Sequence, residues 1–247
     1  MISCNLAGGL GNYLFQIGAM YSLSKNVGFD IKTATQVHRN IKVYLTNILR
    51  NINLEVSGLQ YQYDEPKFSH DDLPTQDNIL FNGYFQSEKY LDRELILKLY
   101  SIDDISLEYI NDKYKNIISN SVSIHVRRGD YLNKYDKHPV QDINYYNLAM
   151  KYFRDYKKFI IFSDDIEWCK TNFIGDQFIF IEGEHDYIDL WLMSLCDHNI
   201  IANSSFSWWG AWLNQNINKK VIAPKNWFGP KKKLDTIDLY CKDWILI

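Results

Sequence analysis

Five short apolar runs, Val122–Val126, Lys158–Phe162, Phe178–Ile181, Asn199–Ala202 and Lys220–Ala223, punctuate the second half of this chain, each parted from the next by a stretch of helical periodicity. Runs that are apolar throughout, rather than at alternate residues, predict strands buried on both faces. Strands separated by helices run parallel, because the crossover returns the chain to the same end of the sheet. The intervening helices are predicted over Tyr145–Tyr156, Ile166–Phe173, Tyr187–Cys196 and Phe206–Asn214.

The first half carries the same signal more faintly. Ile2–Leu6 and Ile79–Phe85 read as strands and Tyr13–Ser24 as a helix. Ser87 stands as an N-cap before EKYLDRELILKLY, and Leu107–Ile118 reads as another helix. Residues 29–76 give no clear assignment; Asp64–Pro66 and Ser69–Pro74 are turn-rich and read as loop. An α/β chain of two parallel-sheet units is expected, with a seam near Lys115–Ser121, hence domains 1–117 and 118–247.

Across 247 residues the net charge is −3, from 27 basic and 30 acidic side chains. That balance gives no general attraction to nucleic acid, so any bound anion requires a local cluster. Cys4, Cys169, Cys196 and Cys241 show neither CxxC nor zinc spacing, which points to free buried thiols in a reducing, cytoplasmic setting. The first residues lack a basic flank before Lys25 and are interrupted by Asn5, Asn12 and Gln16, unlike a signal peptide or anchor. No run approaches the length of a membrane span.

Four motifs carry chemistry. GGLGN (Gly8–Asn12) joins a strand to a helix, where glycines such as Gly9 and Gly11 let backbone N–H groups approach an anion; it also suits a plain tight turn. HVRRGD (His125–Asp130) ends a strand and sets two guanidiniums side by side. Arg127 and Arg128, pointing to opposite sides of an extended backbone, suit one arginine on a diphosphate and the other held by a carboxylate such as Asp130. FSDD ends the next strand; Ser163, Asp164 and Asp165 suit a ribose or base edge, and Ser163 or Asp164 suits a helix N-cap instead. ANSSFSWWGAW (Ala202–Trp212) opens a helix with Asn203, Ser204 and Ser205, while Trp208, Trp209 and Trp212 fit a core better than a sugar platform. Glu182, Glu184, Asp186 and Asp189 form an acid-rich helix start in which a catalytic base has room. DxD, HExxH and GxSxG are all absent, so metal-held nucleotide-sugar chemistry and serine hydrolysis lack their usual residues.

Taken in order, GGLGNYLFQ, GYFQSEKYL, HVRRGDY, FSDD, NSSFSWWGAWL and APKNWF resemble glycosyltransferase family 11, the α-1,2-fucosyltransferases, from end to end. The resemblance implies a GT-B-like fold of two Rossmann-like domains facing an interdomain cleft, the C-terminal one holding the donor. It implies GDP-β-L-fucose as substrate, no metal or cofactor, and inverting transfer to the 2-hydroxyl of a galactose-containing glycan acceptor. Arg127, Arg128 and His125 fall on the family's arginine pair and leading histidine. Gly11 and Asn12 fall on its glycine loop, and Ser204, Ser205 and Phe206 on its second diphosphate contact. The expected catalytic set is Arg127, His125 and Asp130; the expected donor contacts are Gly9, Gly11, Asn12, Arg128, Ser163, Asp164, Asp165, Asn203, Ser204, Ser205 and Phe206. Two departures stand out: Tyr13 follows GGLGN where the family commonly has Gln, and the acceptor-selecting first half is short. The competing expectations are a transferase for another GDP-sugar or hydroxyl and a non-catalytic glycan- or nucleotide-binding module.

Overall fold

The computed structural model describes residues 1–31, 41–52 and 59–247. The chain packs as two units: Met1–Asp103 with Leu234–Cys241, and Asp104–Lys233 with Lys242–Ile247.

The first unit holds a parallel sheet of β1 (Ile2–Cys4), β2 (Tyr61–Asp64) and β3 (Ile79–Asn82) in the order β1-β3-β2. Helix α1 (Leu10–Val27) buries Leu14, Phe15, Ile17 and Met20, and stops where Gly28 turns left-handed at φ 72°. Its N–H bonds back to the Ser24 carbonyl, a turn that glycine takes without Cβ strain. A five-residue helix, α2 (Ile41–Leu45), follows. The segment expected as one helix after Ser87 is split in two. Ser87 caps only the short 3-10 turn Glu88–Tyr90, and Asp92 then caps α3 (Arg93–Leu99) by accepting from the Leu95 N–H at 3.0 Å. Of the unassigned stretch, residues 32–40 and 53–58 lie outside the described residues.

The second unit is a six-stranded parallel sheet in the order β6-β5-β4-β7-β8-β9. Its strands are β4 (Val122–Val126), β5 (Phe159–Ser163), β6 (Phe178–Phe180), β7 (His198–Ile200), β8 (Val221–Ala223) and β9 (Ile245–Leu246). Its helices are α4 (Asp104–Ile118), α5 (Ile143–Met150), α6 (Ile166–Asn172), α7 (Asp186–Leu195) and α8 (Ser205–Leu213). Helix α4, which the sequence assigns to the first domain, packs here instead: Glu184, just ahead of α7, accepts from the Tyr109 and Tyr114 hydroxyls and from Lys113.

Val122, Ile124, Val126, Ile161, Ile200 and Ile222 line the strands, and Tyr146, Phe153 and Phe173 pack over them. Trp191, Trp208 and Trp209 are fully buried, and Trp212 is 3% exposed, so the tryptophans of α8 are core, as expected. Two buried amides knit this core. Asn199 donates to Ser123 Oγ and the Met193 carbonyl, each at 2.7 Å, and Asn214 donates to the Cys196 carbonyl. Among the described residues none of the four cysteines forms a disulfide, and Cys241 is the one that is partly exposed. Among the described residues no helix is long and apolar enough to cross a membrane.

Candidate active site

Strand order in the second unit locates its crevice. From β4 the chain steps outward through β5 and β6, then returns to lay β7, β8 and β9 on the other side. Loops leaving β4 and β7 therefore diverge, and the opening between them at the carboxyl ends is where ligands gather in such sheets. HVRRGD leaves β4 at that point, and NSSFSWW leaves β7.

The register of β4 against β5 pairs Val126 with Ser163. The next residues follow suit: Arg127 meets Asp164, and Arg128 meets Asp165. Arg127 Nη1 lies 2.8 Å from Asp164 Oδ2 and its Nη2 lies 2.5 Å from Asp130 Oδ1, with the guanidinium carbon 5.1 Å from the Tyr131 ring centre. Both of its terminal nitrogens are thus spoken for by carboxylates. Arg128 is held differently. Its backbone N–H donates to Asp164 Oδ1 at 2.8 Å, its Nε donates to Asp165 Oδ2 at 2.9 Å, and its guanidinium lies 4.3 Å from the Trp168 ring centre. Neither terminal nitrogen of Arg128 has a hydrogen-bond partner among the described residues, and the side chain is 17% exposed. A planar fork anchored at its root and stacked on an indole is preorganised for two parallel bonds to phosphate oxygens. Arg127 is thus the arginine pinned by carboxylates. Neither guanidinium is an uncompensated buried charge, so their presence alone does not demand a ligand.

Asp130 is held below the usual carboxylate range, first by its bond to Lys134 at 2.7 Å and then by Arg127. His125 is 5% exposed. Burial, then the nearby Arg127, push its pKa down to about 3, so the ring is neutral at physiological pH. Its Nδ1 is buried and has no hydrogen-bond partner among the described residues, and its ring lies 5.4 Å from that of Phe206. The Tyr146 hydroxyl donates to the His125 carbonyl at 3.2 Å, fixing the strand end from below.

In FSDD the cap is Asp165, not Ser163 or Asp164. Asp165 Oδ1 accepts from the Trp168 N–H at 3.3 Å, while Ser163 Oγ accepts from the Asp165 N–H. Ser204 caps α8 by accepting from the Phe206 N–H at 3.3 Å, and Ser205 starts that helix. Asn203 departs from expectation. It is 1% exposed; its amide donates to the Pro139 and Trp227 carbonyls, and its Oδ1 accepts from Gln141. The Tyr131 hydroxyl donates to its backbone carbonyl. A side chain so buried and engaged ties together the loops after β4 and β8.

In the first unit the glycine loop ends at the N-terminus of α1. Gly8 has φ 90°, and a Cβ there would lie 2.1 Å from Asn12 Nδ2, so glycine is required. Gly9 occupies the cap position with open space around it, and Gly11 is buried in the first turn. Asn12 Oδ1 accepts from Gln86 at 2.8 Å. Gln16 ties the loop to its neighbour, accepting from the Ala7 N–H and donating to the Gly83 carbonyl. No acidic side chain occupies the first turn of α1, which leaves its positive end unopposed locally.

The acid-rich stretch does not join the arginines among the described residues. Glu182 pairs with Lys170 at 2.9 Å, Glu184 is taken up by α4, and Asp189 is pushed up to about 7 by burial and by Glu184 and Asp186. Two residues central to the arginine cluster escaped the sequence reading, Tyr131 and Trp168. Their signal is spacing: each is the first aromatic after a motif carboxylate or arginine, within reach across one turn. Among the described residues no three His, Cys, Asp or Glu side chains converge as a metal site.

Comparison with known proteins identifies the family. The profile of Glycosyl transferase family 11 matches residues 1–247. The O-antigen biosynthesis glycosyltransferase WbnK of Escherichia coli is 30% identical, with 94% of this chain and 96% of WbnK covered. An α-1,2-colitosyltransferase of Escherichia coli is also 30% identical, over 100% of this chain and 99% of that protein. Galactoside α-(1,2)-fucosyltransferase 2 of gorilla is 27% identical over 86% and 69%. Among solved structures, the fucosyltransferase NodZ from Bradyrhizobium superposes with a TM-score of 0.56 at 11% identity, covering 85% of this chain and 91% of NodZ. At that identity the likeness speaks for the fold alone, which is GT-B-like. The chain belongs to glycosyltransferase family 11 and is a glycosyltransferase.

Proposed function

We propose that the chain transfers L-fucose from GDP-β-L-fucose to the 2-hydroxyl of a galactose-containing glycan, with inversion and without a metal ion. The observation that carries this reading is the unpartnered terminal fork of Arg128, rooted on Asp165 and Trp168 at the switch point of a parallel sheet. As the bond from the fucosyl carbon to the β-phosphate oxygen breaks, its electron pair passes to the leaving GDP. The sugar takes on oxocarbenium character, the acceptor oxygen attacks from the opposite face and its proton passes to solvent water, so a single displacement inverts the anomeric centre. Arg128 and the N-terminus of α8 meet the charge that builds on the diphosphate, the preorganised stabilisation that dominates such reactions. Arg127, clamped by Asp130 and Asp164, adds positive potential and fixes the loop. Asp130, with two cations on it, is a weak proton acceptor and acts by orienting Arg127. His125, held neutral, contributes an uncharged ring edge beside Phe206. Support for the donor also comes from solved fucosyltransferases of this fold, whose NodZ and POFUT1 structures hold GDP or GDP-fucose.

A second reading, transfer of colitose rather than fucose, is favoured by the full-length match to the colitosyltransferase. One experiment separates them. The protein is incubated with a panel of GDP-sugars and lactose or lacto-N-biose, and the product linkage is read by NMR. Turnover of GDP-fucose to an α-1,2 product is expected. Transfer of a different sugar, or to a different hydroxyl, overturns the proposal. A thermal shift with free glycans but none with GDP would instead mark a glycan-binding module.

A further inference from the structure

Two loops of the second unit, 129–141 after β4 and 224–233 after β8, are bound edge to edge. The Gly229 N–H donates to the Lys137 carbonyl at 3.0 Å and the Lys231 N–H to the Asp136 carbonyl at 2.9 Å. A Cβ on Gly229 would lie 2.4 Å from the Asp136 carbonyl oxygen, which shows how close the backbones run. This junction gathers Lys134, Lys137, Lys231, Lys232 and Lys233 in a chain whose net charge is −3. Lys134 pairs with Asp130 and Lys231 with Asp136. Among the described residues Lys137, Lys232 and Lys233 have no carboxylate partner. Lys232 Nζ sits 4.4 Å from the Phe228 ring centre, and burial together with the ammonium of Lys137 lowers its pKa. These three like charges are thus crowded together without a counter-ion among the described residues.

Two large apolar side chains stand among these lysines, Leu132 at 51% and Tyr135 at 63% exposed. Beneath them the ring of His138 is stacked on Tyr131 at 4.7 Å, and Asn203 ties Pro139 to Trp227. The patch therefore rides on a rigid base. An ammonium cluster interspersed with an exposed leucine and tyrosine matches the layered chemistry of an anionic bilayer: phosphate at the surface, and an interfacial zone that takes tyrosine and leucine. A soluble polyanion would use the lysines and leave Leu132 and Tyr135 without a role.

We propose that this patch docks the protein on an anionic membrane surface, beside the opening at the carboxyl ends of β4 and β7. The test is sedimentation of the full chain with vesicles of phosphatidylglycerol and phosphatidylcholine against phosphatidylcholine alone. Binding is expected on the former and release with rising salt. Lys137→Gln, Lys232→Gln and Lys233→Gln together should weaken partition by roughly a hundredfold. Leu132→Ser with Tyr135→Ser should weaken it several-fold even at low salt. In all these variants, turnover of GDP-sugar on a soluble galactoside should stay at the wild-type rate, which also reports intact folding. Equal partition onto both vesicle types, or onto neither, overturns the proposal. So does undiminished vesicle binding by the triple variant, or capture by heparin with no vesicle binding. Each of these results leaves the donor and acceptor reading untouched.

Discussion

Replacing Arg128 with lysine keeps the charge and removes the geometry, so it isolates what the guanidinium fork contributes. In the structure Arg128 makes a root bond to Asp165 at 2.9 Å, stacks 4.3 Å from the Trp168 ring centre, and presents two terminal nitrogens with no partner among the described residues. Lysine cannot make the root bond and presents one ammonium in place of two parallel donors. One charge-assisted bond to phosphate is worth roughly 1.5–3 kcal/mol, and the lost stacking about 0.5–1 kcal/mol more. Arg128→Lys should therefore lose about 2–4 kcal/mol of transition-state stabilisation, or roughly 30- to 1000-fold in kcat/KM. The fall should sit mainly in kcat, because charge on the diphosphate is greatest as the bond breaks. Initial rates of GDP release, paired with calorimetric GDP binding and a melting curve, measure all three quantities. The melting temperature should barely move, since the ion pair to Asp165 is partly exposed. A variant with kcat/KM within about threefold of wild type and an unchanged melting curve would show that the fork does not hold the leaving group.

Arg127→Lys should also lose much of its activity, because lysine cannot bridge Asp130 and Asp164 at once; near-wild-type kcat/KM in that variant would show that the clamped guanidinium does not support the reaction. Asn203→Ala removes three hydrogen bonds of a buried side chain and should destabilise the second unit by about 2–4 kcal/mol in chemical denaturation. Treatment with EDTA should leave turnover unchanged, and a loss restored by a divalent cation would contradict metal-free stabilisation of the leaving group. Asp189 gives a pH test. Its native pKa of about 7 stands above the ordinary 3.8, so the native state keeps a proton that the unfolded chain releases. Its stabilising contribution is complete below the ordinary value and is lost as the pH rises through 7. Asp189→Asn should therefore raise the melting temperature by several degrees at pH 8 and leave it unchanged near pH 4, as scanning calorimetry would register.

The second unit was legible because its strands are apolar from end to end. Val122–Val126 matches β4 residue for residue, and the remaining runs fall within two residues of their strands. The first unit was less so. β2, Tyr-Gln-Tyr-Asp, is polar and largely exposed, so neither composition nor alternation marks it. β9 spans two residues, Ile245 and Leu246, too short for any periodic signal. The break at Asp92 was missed because helical spacing runs on through a competing cap. In the site, the motifs showed which residues carry charge but not who pairs with whom. Arg128 finds Asp165 rather than Asp130 because β4 and β5 lie in a register that sequence spacing does not report. Asn203 looked like a ligand group for a related reason: the carbonyls that occupy it come from Pro139 and Trp227, both remote along the chain.

The first unit is not closed by its own stretch of chain. Leu239 is buried there at 2% exposure, and Asp238 accepts from the His70 N–H and from Lys89, before the backbone returns to add β9 to the second sheet. During synthesis, then, the part made first is completed only near the end. Its finishing piece leaves the ribosome only after the whole six-stranded scaffold except one edge has been translated, so the nascent N-terminal half spends most of translation as an unsealed intermediate that is open to chaperone capture.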